Sequence, residues 1–121
     1  MAKLLIVDDD KESIDCVTRF FQVSGYDAQC VYTGDDAIKV INESKPDCIL
    51  LDIQLPGSRN GIDVLAETKA LDKNIKIVMI TAFVDAEIEE ECNKYGVDGF
   101  VIKPLDFQNL LDTVKKLTNK A

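Results

Sequence analysis

The chain has no histidine and no tryptophan, and aromatic residues make up 7% of its 121 positions. A core built from this composition is mostly aliphatic. The four cysteines, Cys16, Cys30, Cys48 and Cys92, show no C-x-x-C spacing. They lie inside separate apolar segments instead of paired loops, which argues against a zinc site and for four reduced thiols acting as small apolar residues. Reduced thiols point to a reducing compartment, the cytoplasm. No stretch approaches the ~18 apolar residues of a membrane span, and the opening "MAKLLIVDDD" is too short in apolar residues and too acidic to be a signal peptide. Basic residues are the minority: 14 Lys+Arg stand against 22 Asp+Glu, for a net charge of −8. Such a surface repels phosphate backbones and anionic lipid, so no direct contact with nucleic acid or membrane is expected.

What the chain does have is alternation. Five short apolar runs, "KLLIV" (3–7), "AQCVY" (28–32), "DCILL" (47–51), "IKIVMIT" (75–81) and "GFVIK" (99–103), are separated by longer segments of helical period. The first, third and fourth runs are nearly continuous in Leu, Ile, Val and Met, as strands buried on both faces are. Between them, Ile14, Val17 and Phe21 form one helical stripe, Val84, Ile88, Cys92 and Tyr95 another, and Phe107, Leu110, Leu111, Val114 and Leu117 a third. Gly25 and Gly96 stand just past two helices, Pro46 closes another, and Asp106 is placed to cap the last. Five strand–helix units with right-handed crossovers predict an α/β fold, a doubly wound five-stranded parallel sheet of the (βα)5 flavodoxin-like kind. The polar second run reads as an edge strand, which gives the order 2-1-3-4-5. One domain over residues 1–121 is expected, with no output domain in this chain.

In such a sheet, ligands bind beyond the carboxyl ends of the strands. There the sequence places Asp8-Asp9-Asp10, Asp52, Thr81 and Lys103-Pro104. Two carboxylates ~4–5 Å apart repel by roughly 3–4 kcal/mol at an effective dielectric near 20. Gathering Asp8, Asp9 and Asp52 therefore calls for a cation, and hard oxygen donors suit Mg²⁺. The plainer alternative is that Asp8 to Asp10 only favour the positive end of the first helix, at about 1 kcal/mol or less each. Lys103 alone reads equally as an ion pair, but Pro104 restricts its backbone and sets a turn that aims the ammonium inward. The Thr81 hydroxyl has two uses, a local backbone group or a bound oxyanion. Taken together, these groups surround a carboxylate that can attack phosphorus and form an aspartyl phosphate.

The ordered set "LLIVDDD", "ILLDIQLPG", "VMITA" and "GFVIKP" resembles the receiver domain of bacterial two-component response regulators, across essentially the whole chain. The resemblance implies that Asp52 is the phosphoacceptor. It implies that Asp9 is a direct Mg²⁺ ligand (Mn²⁺ substituting), that Asp8 acts through water, and that the backbone carbonyl of Gln54 completes the protein ligands. Thr81 would hydrogen-bond the phosphoryl group, Lys103 would pair with it, and Phe100 would be the aromatic switch, working by packing alone because it lacks a hydroxyl. Gln54 and Phe83 occupy the positions that set phosphoryl lifetime in the family. The implied donor is a histidine kinase or histidine phosphotransfer protein. The implied output is a downstream protein or domain meeting the helix 4–strand 5–helix 5 face, or a phosphorylation-dependent homodimer. The acidic residues of the fourth helix, Asp85, Glu87, Glu89, Glu90 and Glu91, read either as a solvated face or as a match for a basic partner.

One departure stands out. Ser58-Arg59-Asn60 makes the loop after Pro56-Gly57 one residue longer than the family's common form, and Arg59 reads either as solvated or as reaching the phosphoryl group or a kinase. Such a receiver is a phosphoacceptor that assists its own phosphotransfer and dephosphorylation, not an enzyme acting on others. The alternatives are a receiver fragment of a longer DNA-binding transcription regulator, a haloacid-dehalogenase-type phosphatase and a flavodoxin-like electron carrier. The phosphatase would want a second acid where Gln54 stands. The electron carrier would want a phosphate-cradling loop where three acids follow the first strand.

Overall fold

A computed structural model describes residues 1–118. Five parallel strands, β1 (Lys3–Val7), β2 (Asp27–Val31), β3 (Cys48–Asp52), β4 (Lys76–Thr81) and β5 (Gly99–Ile102), alternate with five helices, α1 (Lys11–Val23), α2 (Gly34–Ser44), α3 (Gly61–Leu71), α4 (Ala86–Tyr95) and α5 (Phe107–Thr118). The strand order is β2-β1-β3-β4-β5, as the apolar pattern predicts. The second and third strands sit one residue from their predicted places, so that Asp52 is the last residue of β3 and pairs in register with Ile80. The last three residues of the predicted domain lie outside the described residues. Among the described residues no helix is long and apolar enough to cross a membrane.

Alternation along the strands divides the core. Leu4, Ile6, Cys48, Leu50, Val78 and Ile80 face α1 and α5, against Ile14, Val17, Phe21, Leu110 and Val114. Their neighbours Leu5, Val7, Ile49, Leu51, Ile77 and Met79 face α2, α3 and α4. Burying each such side chain contributes about 1.5–3 kcal/mol, and this is what holds both helical layers on the sheet.

Helix boundaries follow side-chain chemistry. Asp10, Thr33, Asn60 and Asp85 cap α1 to α4 by accepting backbone N–H groups, and Asn60 and Asp63 form a reciprocal capping box. Asp106 accepts from Asn109 N at 3.2 Å and so caps α5, as expected. Gly25 and Gly96 take positive φ at the ends of α1 and α4. At the end of α2 it is Lys45, just before Pro46, that adopts the left-handed conformation.

Two expectations need correction. The stripe predicted for the fourth helix is mostly uncovered: only Cys92 is fully buried, Val84 precedes the helix, and Tyr95 is 41% exposed. The helix lies at the margin of the α2–α3 layer, where there is little to bury it. Nor are the cysteines uniformly core residues. Cys48 and Cys92 are buried, whereas Cys30 is half-buried and Cys16 is exposed, and all four are free.

Candidate functional site

The order of the sheet makes β1, β3, β4 and β5 neighbours, and their registers set Val7 beside Leu51, Asp52 beside Ile80 and Thr81 beside Ile102. The residues at and just past the strand ends therefore emerge along one edge. Asp8 and Asp52 are 1% and 5% exposed, and Asp9 lies beside them at the surface. One carboxylate oxygen from each of the three falls within 4.8 Å of the others. The Lys103 ammonium stands 2.8 Å from Asp8 Oδ2 and 3.2 Å from Asp52 Oδ2.

The remaining oxygens of the buried pair are held by the backbone. Asp10 N donates to Asp8 Oδ1 at 3.0 Å, and Gln54 N donates to Asp52 Oδ1 at 3.1 Å. Asp10 meanwhile accepts from Ser13 N. The acidic triplet thus divides its work: Asp8 joins the buried site, Asp9 faces its mouth, and Asp10 caps the helix.

Burial pushes the Asp52 carboxyl above its ordinary range, the Asp8 charge pushes it further, and the Gln54 N–H and Lys103 only partly offset them. Burial works against the charge on Lys103, yet hydrogen bonds and charges from Asp8 and Asp52 outweigh it and raise its pKa. Three carboxylates against one ammonium leave the cluster short of positive charge. Its donors are all hard oxygens, so Asp8, Asp9 and Asp52 fit a divalent cation of the Mg²⁺ kind.

Thr81 is buried at the end of β4, and its Oγ1 donates to Phe83 O at 3.2 Å. Of the two uses open to this hydroxyl, the local backbone contact is the one formed here. Lys103 N donates to Thr81 O at 2.8 Å, which ties β5's end to β4's, and the Lys103–Pro104 peptide is cis. The Phe83 side chain is exposed, while Phe100 is half-buried against the α2–α3–α4 side of the core.

Arg59 is neither solvated alone nor turned toward the acids. Its guanidinium binds Asp35 on α2 and Glu67 on α3, each at 2.6 Å, and so clasps the two helices. Both acids engage the cation on the α2–α3 side. Gly61, which no motif in the sequence singles out, is the other anchor of this loop. Its N–H donates to Ile53 O at 2.8 Å, and a Cβ there would fall on the Asp52 carbonyl oxygen. A glycine at the first position of a helix that begins beside a strand end is the signal that could have found it.

Comparison with known proteins agrees with this fold. The family model described as "Response regulator receiver domain" matches residues 4–115. A CheY-like response regulator receiver domain protein from Methanospirillum hungatei is 25% identical over 98% of this chain and 94% of its own, with a TM-score of 0.94. The chemotaxis protein CheY4 of Vibrio cholerae is 26% identical over 97% and 98%, with a TM-score of 0.90. NtrX from Brucella abortus is 28% identical over 98% of this chain but 27% of its own, with a TM-score of 0.88.

Proposed function

Because the chain belongs to the response regulator receiver domain family, we propose that it is a phosphoacceptor switch whose acceptor is Asp52. The donor in this reading is a phosphohistidine on a histidine kinase or histidine phosphotransfer protein. A carboxylate oxygen of Asp52 attacks phosphorus as the P–N bond breaks, and the imidazole leaves with the bonding pair and takes up a proton. Lys103 holds phosphoryl oxygens, and Thr81 turns from Phe83 O to donate to one of them. Asp9, Asp52 and the backbone carbonyl of Gln54 would hold Mg²⁺ directly, with Asp8 acting through water and Mn²⁺ as a substitute. Bound there, the metal ion would offset the negative charge that the transferred group brings to an already acidic site.

The observation that carries the reading is the Lys103 ammonium between two buried carboxylates, with a third beside them. An ordinary ion pair needs one acid, and a desolvated acid pair with a raised carboxyl is costly unless it has work to do.

When Thr81 moves, Phe100, which lies beside Met79 two residues before it, changes place, and the helix 4–strand 5–helix 5 face reports the change to a partner, an output domain or a second copy. The thin packing of α4, with Cys92 its one fully buried side chain, supports that part of the reading. The same site serves a longer regulator equally well, and the NtrX match, which covers a quarter of that chain, favours keeping this second reading. The four free thiols support a cytoplasmic setting.

The test is intact mass after incubation with acetyl phosphate, with and without Mg²⁺, on the wild type and on Asp52→Ala. A gain of one phosphoryl group that requires Mg²⁺ and vanishes in the variant is expected. A gain that survives Asp52→Ala overturns the assignment of the acceptor.

A further inference from the structure

Glycine does two different jobs in this chain. Gly25, Gly57 and Gly96 have positive φ, and a Cβ at each would meet open space. Gly34 and Gly61 are the reverse: neither has a positive φ, and at both a Cβ has nowhere to go. At Gly34 it would fall 2.5 Å from Arg59 O and 2.8 Å from Arg59 Cβ. At Gly61 it would fall on the Asp52 carbonyl oxygen, 2.6 Å from Ile53 Cα. These two positions need glycine for close approach, not for conformation.

The two contacts lie in series. Gly34 opens α2, where Thr33 accepts from Asp36 N at 3.1 Å and Ala37 and Ile41 are buried, so the start of that helix is fixed. Arg59 rests its backbone on Gly34, and Gly61 follows two residues later. Between them the capping box ties Asn60 to the first turn of α3. Gly61 in turn presses on the Asp52 backbone and donates its N–H to Ile53 O at 2.8 Å. On its other side Arg59 has slack, since Pro56, Gly57 and Ser58 are exposed. Toward Asp52 it has none, because close-packed backbones transmit a displacement instead of absorbing it.

We propose that Gly34 is a positioning residue for the phosphoacceptor: through Arg59 and Gly61 it sets where the Asp52–Gln54 segment stands, and with it the affinity for a divalent cation. The proposal rests on the reading of that segment as acceptor and metal site. Groups that hold metal ligands from behind are commonly worth about tenfold or more in affinity. α2 supplies none of the site's side chains, yet by this route it has a hold on them.

The test compares Gly34→Ala with Ile41→Val, which opens a cavity under the same helix and leaves the Arg59 contact alone. In chelator, ¹H–¹⁵N spectra should show the amides of Ile53, Gln54 and Gly61 shifted by Gly34→Ala and unmoved by Ile41→Val. Mg²⁺ is then titrated into each unphosphorylated chain. Gly34→Ala should bind it about tenfold more weakly and Ile41→Val as tightly as the wild type, although both variants melt lower. Wild-type Mg²⁺ affinity in Gly34→Ala, or an equal loss in Ile41→Val, overturns the proposal. If the wild type itself binds no Mg²⁺, the metal site is what fails, and the amide shifts decide: shifts that stop short of residues 52–54 overturn the positioning role. If Gly34→Ala does not fold, Arg59→Gly takes its place, because it removes the Cβ beside Gly34 that Arg59→Ala retains. Weaker Mg²⁺ binding in Arg59→Gly than in Arg59→Ala is expected, and equal binding overturns the proposal.

Discussion

Two clusters in this molecule share one formula, a pair of carboxylates around a single cation. Lys103 joins Asp8 and Asp52 at 2.8 and 3.2 Å, and Arg59 joins Asp35 and Glu67 at 2.6 Å each. By distance, the second is the tighter. By environment they are opposites: the two acids of the first are almost wholly buried beside a third acid, whereas every side chain of the second is between 36% and 57% exposed. Water stabilises the exposed acids whether or not Arg59 is there, so that clasp is worth little. The buried acids depend on what the protein places around them. Ion-pair geometry alone therefore does not separate chemistry from fastening, but desolvation and uncompensated charge do.

The sharpest break of this comparison is Asp52→Asn. Loss of all acetyl-phosphate uptake is expected by mass, together with a gain in stability. Asp52 is raised above its ordinary 3.8, first by burial and then by Asp8, so the folded chain holds this proton more tightly than the unfolded one. Stability from the group is then full below pH 3.8 and is lost as pH rises through the raised value. In metal-free buffer Asp52→Asn should melt higher than the wild type at neutral pH, with the gap closing in acid. A lower melting temperature at neutral pH would contradict the sign.

Next comes Lys103→Ala, which leaves Asp8 and Asp52 facing each other without a counter-charge. Removing one partner of a fully buried pair costs about 3–5 kcal/mol. With 29% of the lysine side chain exposed, roughly 2–3 kcal/mol is expected from urea unfolding in chelator. Gly61→Ala sharpens the boundary between the clusters, because Gly61 ends the Arg59 loop yet touches the Asp52 backbone. Overpacking of about 1–3 kcal/mol is expected, with slower phosphoryl uptake in the fraction that remains folded. Uptake at the wild-type rate would show that the strand end is not displaced. The smallest effect belongs to Arg59→Ala: unchanged uptake, and a slight drop in melting temperature that high salt removes.

The contrast also explains what could be read in advance. The strands, their order and the acids at their ends were legible because apolar runs bounded by turn residues, with a carboxylate closing two of them, are local patterns. Asp52, Thr81 and Lys103 needed only the order of strands to be brought together. The partners of Arg59 were hidden, because Asp35 lies 24 residues away and Glu67 eight, and a loop cation's choice depends on how two helices sit. Asp10's duty as a cap, against Asp8's in the site, turned on where α1 begins, to within one residue.

The strict in-and-out alternation of the strands makes the sheet a partition. Leu50 and Leu51 are adjacent in sequence, yet they belong to different cores. Substitutions on opposite sides of such a wall should be thermodynamically additive, Phe21→Leu with Leu65→Ala for example, while pairs on one side should not. The chain can thus drift on its α1–α5 side without retuning α2, α3 and α4, so that the two faces evolve on separate clocks.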